Sequence, residues 1–278
     1  MYLFEHFFKM EDFMKRIVTV LAVLAVLAIV FTGCKKESGG ITLKNGVLMV
    51  GMEIGYPPME YMAEDGKTPI GFDVSMAKAI AGKMGLQVEF IDTAWDGIFA
   101  AVDTRKFDCI MSSVTINPAR LAAHNFSKPY IQNTLALVLP KNTRHNIKSP
   151  LDLAGLGVAY QDETTSDYFI NQLIDEGLKI TTYEYDKVMY CFDEMRLGRV
   201  DAIMTDLLVA YEYVSRADSP FEIVWQGGEE EFGICMKKGN DALTNAVNKA
   251  LDELFADGTM LRISNEIFGM DLVSAVRR

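Results

Sequence analysis

Asp108-Cys109-Ile110-Met111-Ser112-Ser113-Val114-Thr115-Ile116-Asn117-Pro118-Ala119-Arg120 holds three local signals in one short stretch. Cys109 to Met111 reads as a buried strand. Asn117 followed by Pro118 reads as a helix cap with proline at the first helical position, where its missing N–H costs nothing. Between them lie the hydroxyls of Ser112, Ser113 and Thr115. A strand that runs through a polar turn into a helix is an α/β unit, and open α/β sheets hold ligands at the carboxyl ends of their strands.

The same alternation continues on both sides of this stretch. Before it, Val47 to Met52 and Gln87 to Ile91 read as strands. Asp73 is placed to cap a helix running to Met84, with Val74, Ala77, Ile80, Ala81 and Met84 on one face, and Trp95 to Val102 is helical. After it, Leu135 to Leu139 is a strand that ends at Pro140. A second series follows: strands at Gly157 to Tyr160, Ala202 to Met204 and Phe232 to Met236, and helices at Thr165 to Ile174, Val188 to Leu197, Leu207 to Val214, Ala242 to Phe255 and Met260 to Phe268. The expected class is α/β, with no tandem repeat.

The amino terminus has its own pattern. Lys15-Arg16, the apolar run Ile17 to Phe31 and Thr32-Gly33-Cys34 give a positive region, a hydrophobic region and a small-residue exit. The run is shorter than the roughly 20 residues a spanning helix needs. Residues 1–33 are expected to be a signal peptide and residues 34–40 a polar tether. Met14 is a natural start codon. Removing residues 1–33 leaves about 245 residues, long for one core and comfortable for two domains.

The net charge of -11 argues against nucleic acid, whose phosphates require Lys and Arg. Cys109, Cys191 and Cys235 have no CxxC spacing and read as buried thiols, and the histidines His6, His124 and His145 suggest no metal cluster. No GxSxG, HExxH, Walker or GxGxxG pattern appears. Neither a cofactor nor a metal is expected.

Four strand ends carry the candidate chemistry. Glu53 and Tyr56 follow the first, with Pro57-Pro58 stiffening the turn. Ser112, Ser113, Thr115 and Arg120 follow Cys109 to Met111. Thr164, Thr165 and Ser166 open a helix after Tyr160, and Thr205 and Asp206 follow Met204. Arginine grips a carboxylate bidentately, and a helix N-terminus offers N–H groups to the same anion. Asp206 and Glu53 can accept from an ammonium, so together these groups suit a zwitterion. Each also has a plainer alternative. Asp206, Thr165 and Ser166 could serve only as caps, Arg120 as a surface charge and Trp95 as core.

From Val47 to about Phe268 the chain resembles the polar amino-acid solute-binding proteins of ABC importers. The resemblance rests on Gly51-Met-Glu-Ile-Gly-Tyr-Pro-Pro-Met-Glu60, Gly71-Phe-Asp-Val74, Trp95-Asp-Gly-Ile98, the 108–120 stretch and Phe126-Ser-Lys-Pro-Tyr130. Further on, Gln161-Asp-Glu-Thr-Thr-Ser166, Gly198-Arg-Val-Asp-Ala202 and Asp257-Gly-Thr259 carry it. It implies a two-lobed periplasmic-binding-protein type II fold. Lobe one would be residues 41–134 and 232–278 and lobe two 135–231, joined by hinge strands at Leu135 to Leu139 and near Phe232.

By the same resemblance, Arg120 and Thr115 would hold the ligand carboxylate, with Thr165 and Ser166 adding donors. Asp206 and the carbonyl in the Ser112-Ser113 turn would take the ammonium. Glu53, Tyr56 and Trp95 would face the ligand side chain. Glu163 stands where the family usually has glycine, and its side chain and charge are expected to alter the loop or repel the carboxylate.

The Phe31-Thr32-Gly33-Cys34 ending resembles a lipobox. It implies a lipidated Cys34 and attachment to the outer face of the cell membrane; the family resemblance implies a free amino acid as ligand, an ABC permease as partner and a monomeric, non-enzymatic protein. A cystine-binding member and a dehydratase on the same fold are the alternatives.

Overall fold

The computed structural model describes residues 40–276; the expected leader and the expected lipidation at Cys34 lie outside them. The chain opens with β1 (Val47–Met52), the short pair β2 (Tyr61–Met62) and β3 (Pro69–Ile70), α1 (Phe72–Lys83), β4 (Gln87–Asp92), α2 (Trp95–Asp103), β5 (Cys109–Ile110), α3 (Pro118–Ala123) and β6 (His124–Phe126). The long β7 (Ile131–Pro140) leads to β8 (Gly157–Gln161), α4 (Thr165–Asp175), β9 (Thr181–Tyr185), α5 (Val188–Arg196), β10 (Ala202–Asp206) and α6 (Leu207–Val214). The long β11 (Phe221–Phe232) returns to β12 (Cys235–Lys237), α7 (Asp241–Ala256) and α8 (Thr259–Phe268).

Two five-stranded sheets result. The first has the order β4-β1-β5-β12-β6 and the second β11-β7-β10-β8-β9. In the first, β1 lies parallel to β4 and β5, while β12 runs antiparallel to β5 and β6. In the second, β8 lies parallel to β9 and β10. The antiparallel strands β7 and β11 pair from Phe221↔Pro140 to Phe232↔Ile131, with register shifts near Trp225 and Gly228. Their far end reaches the first sheet, where Thr115 bridges Phe232 and the Gly233 N–H donates to the Val114 carbonyl. The molecule is therefore two α/β lobes joined by two long strands.

The central strands are apolar because helices cover both faces. Leu48, Val50 and Met52 of β1 are buried, as are Ala202, Ile203 and Met204 of β10. In α1 the expected face of Val74, Ala77, Ile80 and Ala81 is buried, with Met84 partly so. Asp73 does not cap this helix. The cap position is Gly71, at φ 123, where a Cβ would lie 2.3 Å from the Met59 carbonyl oxygen. Only glycine fits so close a backbone approach. Asp73 is instead wholly buried in the first helical turn and serves the interior described below.

The expected strand from Phe232 to Met236 is also corrected: Phe232 ends β11, and β12 begins at Cys235. Gly233 between them packs so closely on Ile116 that a Cβ would meet it at 2.7 Å. Cys109, Cys191 and Cys235 are free, buried thiols.

Candidate functional site

The strand ends of both lobes converge on one cavity of about 330 Å³, open solvent included. From the first lobe, Glu53, Tyr56, Trp95, Ser112, Ser113, Thr115 and Arg120 line it; from the second, Thr165 and Asp206 do. Thr164, one of the strand-end candidates, also lines it, as do Glu60 and Gln161, which lie outside the candidate set. Ser166 is buried in the first turn of α4 but is not among the lining residues.

Arg120 is the central cation. Asn117 caps α3 by accepting from the Arg120 N–H at 2.8 Å, which starts the helix one turn short of the cavity and aims the guanidinium into it. The side chain is 8% exposed and stacks over the rings of Trp95 and Phe99, 5.4 and 5.1 Å from their centroids. It donates to the Thr115 carbonyl at 3.1 Å and the Glu163 carbonyl at 3.4 Å. Among the described residues no carboxylate lies within ion-pair distance of it. A buried charge without a counter-ion is costly, so this geometry calls for an anion.

Asp206 ends β10 and begins α6, yet its side chain makes no cap bond. It accepts from the Tyr56 hydroxyl at 2.6 Å and from Asn133 Nδ2 at 2.8 Å. Burial, with Glu230 nearby, pushes its carboxyl up to about 7. Glu53 Oε2 accepts from Gln161 Nε2 at 2.6 Å, while Oε1 is buried without a partner among the described residues. Burial raises its pKa, and the neighbouring Lys187 opposes the rise. The Lys187 ammonium comes from the second lobe and lies against Gly55, 3.4 Å from where a Cβ would stand.

The hydroxyl donors are arranged differently from the expectation. Thr115 Oγ1 donates to Glu230 at 3.3 Å, Asn133 Nδ2 reaches the same oxygen at 3.1 Å, and the Thr165 hydroxyl also bonds to Glu230. Glu230 thus takes up the two threonine hydroxyls from the hinge side. The α4 cap is Thr164, which accepts from the Asp167 N–H, so Thr165 and Ser166 are not the cap.

Glu163 holds φ 56, the left-handed region that favours glycine, and so keeps the loop shape a glycine would give. Its side chain is exposed and its N–H donates to Asp162 and Asp167. It therefore presents no charge to the cavity. Its carbonyl does face the cavity, accepting from Trp95 Nε1 at 3.2 Å as well as from Arg120. Replacing Glu163 by Gly is expected to hold or raise stability by up to about 1 kcal/mol, because the left-handed strain is relieved at some entropic cost. Thermal unfolding checks this, and a clear fall in melting temperature would contradict it.

Away from the two long hinge strands, four side-chain hydrogen bonds among the described residues cross between the lobes: Tyr56 to Asp206, Gln161 to Glu53, and Trp95 and Arg120 to the Glu163 carbonyl. The cavity is thus lined by one buried guanidinium, Arg120, and by the buried carboxyl groups of Asp206 and Glu53. Among the described residues no group of three or more metal-ligating side chains occurs.

Comparison with known proteins agrees with this layout. Residues 48–270 match the family model of the bacterial extracellular solute-binding proteins, family 3. The L-cystine-binding protein TcyJ of Escherichia coli (strain K12) is 32% identical over 230 residues, covering 82% of this chain and 85% of that protein. An ancestral arginine-binding protein bound to arginine superposes with a TM-score of 0.77 at 36% identity, covering 81% of this chain and 99% of that one. An ancestral amino acid-binding protein described as a precursor of cyclohexadienyl dehydratase gives 0.74 at 35% identity, covering 80% and 96%.

Proposed function

This chain belongs to the bacterial extracellular solute-binding proteins, family 3, and from that membership we propose that it captures a free amino acid between its lobes and delivers it to an ABC importer. The single observation that carries the ligand class is the buried, carboxylate-free Arg120 in the same cavity as the buried carboxylate of Asp206. One would take the α-carboxylate and the other the α-ammonium. The Ser113 carbonyl assists at the ammonium, Trp95 and Tyr56 flank the side chain, and Glu53 meets its far end. The lobes comprise residues 41–134 with 232–278, and 135–231, and the ligand is enclosed by hinge closure on β7 and β11.

Micromolar binding requires about 8 kcal/mol. Hydrogen bonds to charged groups contribute about 1.5–3 kcal/mol each, so four or five suffice after the cost of ordering. No covalent step is needed. The dehydratase alternative gains nothing from Glu163, whose side chain points to solvent.

The favoured side chain is polar or cationic, because an apolar one would leave the buried Glu53 unpaired. One observation favours cystine as the second reading. The far end carries a cation, Lys187, beside the anion Glu53, and the distal half of cystine bears both charges. Glu53→Gln separates the two, since it should weaken a cationic ligand more than cystine. A thermal-shift screen of the twenty amino acids plus cystine tests the proposal: a ligand that binds only the native state raises its melting temperature. No shift with any of them would overturn it.

Outside the described residues, we propose a cleaved leader and a diacylglyceryl-modified Cys34 that holds a monomeric receptor on the outer face of the membrane. One acyl chain anchors only marginally, which is why two or more are expected. Cys34→Ala should move the protein from the membrane to the soluble fraction with its ligand affinity intact. Persistence of the variant in salt-washed membranes would point to an uncleaved anchor.

A further inference from the structure

Beneath the cavity floor lie two carboxyl groups that the proposed ligand contacts do not use. Glu60, in the turn after β1, and Asp73, in α1, are both 0% exposed. Glu60 Oε1 accepts from the Ser112 hydroxyl at 2.5 Å, and Ser112 in turn accepts from the Glu53 N–H at 3.0 Å. Asp73 Oδ2 accepts from the Ser113 N–H at 2.8 Å and the Tyr130 hydroxyl at 3.0 Å. The remaining oxygens, Glu60 Oε2 and Asp73 Oδ1, are buried without a hydrogen-bond partner among the described residues, and the two carboxyl groups lie close enough to act on each other electrostatically. Among the described residues neither carboxyl group forms an ion pair with a lysine, arginine or histidine. The charged neighbours that face Glu60 are the carboxylates of Asp73, Glu53 and Asp206.

Two adjoining carboxylates in a low-dielectric interior without a counter-ion do not both ionise. A proton on one of them lets the two partnerless oxygens join in a hydrogen bond, whereas two ionised carboxylates could only accept. The pair grips both residues of the Ser112-Ser113 turn. Ser113 is held there at φ 51, a left-handed conformation a serine adopts only when its surroundings fix it.

We propose that Glu60 and Asp73 share one proton, and that this singly protonated pair is the positioning device that holds the Ser112-Ser113 turn, and with it the Ser113 carbonyl, against the ligand ammonium. The ligand contact rests on the amino-acid reading above; the shared proton does not. When the proton leaves, the two carboxylates repel, the floor of the cavity loosens and ligand affinity falls.

The test has two arms. In the first, dissociation constants for the best amino acid of the thermal-shift screen are measured from pH 6 to pH 9 for wild type, Glu60→Gln and Glu60→Ala. The wild-type affinity should fall toward alkaline pH by at least about tenfold more than that of Glu60→Gln, which keeps a hydrogen-bonding but untitratable group. Glu60→Ala should be weakened even at pH 6, and Glu60→Gln should restore most of that loss. Superimposed wild-type and Gln profiles, or equal weakening by Ala and Gln at pH 6, would overturn the proposal.

In the second arm, the infrared difference between wild type and Glu60→Gln is recorded at pH 6 without ligand. A protonated-carboxyl stretch present in wild type and lost in the variant supports the shared proton; its absence overturns it. Asp73→Asn provides the same difference should Glu60→Gln fail to fold. If no amino acid binds at all, the receptor reading fails, and the second arm still decides the proton.

Discussion

Arg120→Ala is expected to weaken amino-acid binding at least 30-fold while leaving the fold intact. The guanidinium is buried between two aromatic rings and two carbonyls, none of which neutralises it. In the complex its partner is the ligand carboxylate, and truncating one member of a buried charge pair costs about 2–5 kcal/mol. Much of that cost is the carboxylate left buried and unpaired. The free protein should lose little, because removing a desolvated cation that lacks a counter-ion relieves as much as it disrupts. Calorimetric titration measures the affinity, and thermal unfolding checks the fold. Wild-type affinity in the variant would remove Arg120 from the site.

The second large effect is in pH. Burial raises Asp206 to about 7 and also raises Glu53, Glu60, Asp73 and Glu230. A carboxyl whose native pKa lies above its unfolded value favours the native state when protonated. For Asp206 that stability is fully present below 3.8 and is lost as the pH rises through about 7. At 1.36 kcal/mol per unit, Asp206 alone accounts for about 4 kcal/mol. The opposite shift occurs at the exposed Asp257, lowered to about 2 by Lys83, and at Asp65, Asp152 and Asp271, whose contribution is lost only in stronger acid.

The ligand-free protein should therefore unfold at a higher temperature at pH 5.5 than at pH 8. A free protein more stable at pH 8 would contradict this electrostatic account.

The strands and helices with strong apolar patterns were legible in the sequence. Val47 to Met52 is a buried strand between two others, and Asn117-Pro118 caps α3 through its side chain. Strands outside that pattern were not. In β9, Thr181-Thr-Tyr-Glu-Tyr185 is a mostly exposed edge strand whose alternation has no apolar face. In β11, Gly227-Gly228 and Glu229-Glu230-Glu231 carry no apolar alternation, yet the strand pairs with β7 along its length, absorbing its irregularity as register shifts.

The site was legible wherever a polar residue follows an apolar strand: Glu53, Ser112 and Asp206 all line the cavity. Gln161 was missed because its neutral amide offers no charge to a ligand, its role showing only in the bond to Glu53 of the other lobe, and Glu60 because it follows a turn closed by backbone bonds between Tyr56 and Glu60. Asp73 looked like a cap because aspartate is common at helix starts; that it turns inward depends on Tyr130 and Ser113, which are distant in sequence.

The most direct measurement is calorimetric titration of the ligand-free protein with the best amino acid from the screen, its decarboxylated amine and its N-acetyl derivative. The account predicts micromolar or tighter binding of the amino acid, with both analogues more than 30-fold weaker, since each lacks one charge that Arg120 or Asp206 requires. An amine that binds as tightly as its parent amino acid would contradict the carboxylate site at Arg120, and with it the assignment of the cavity.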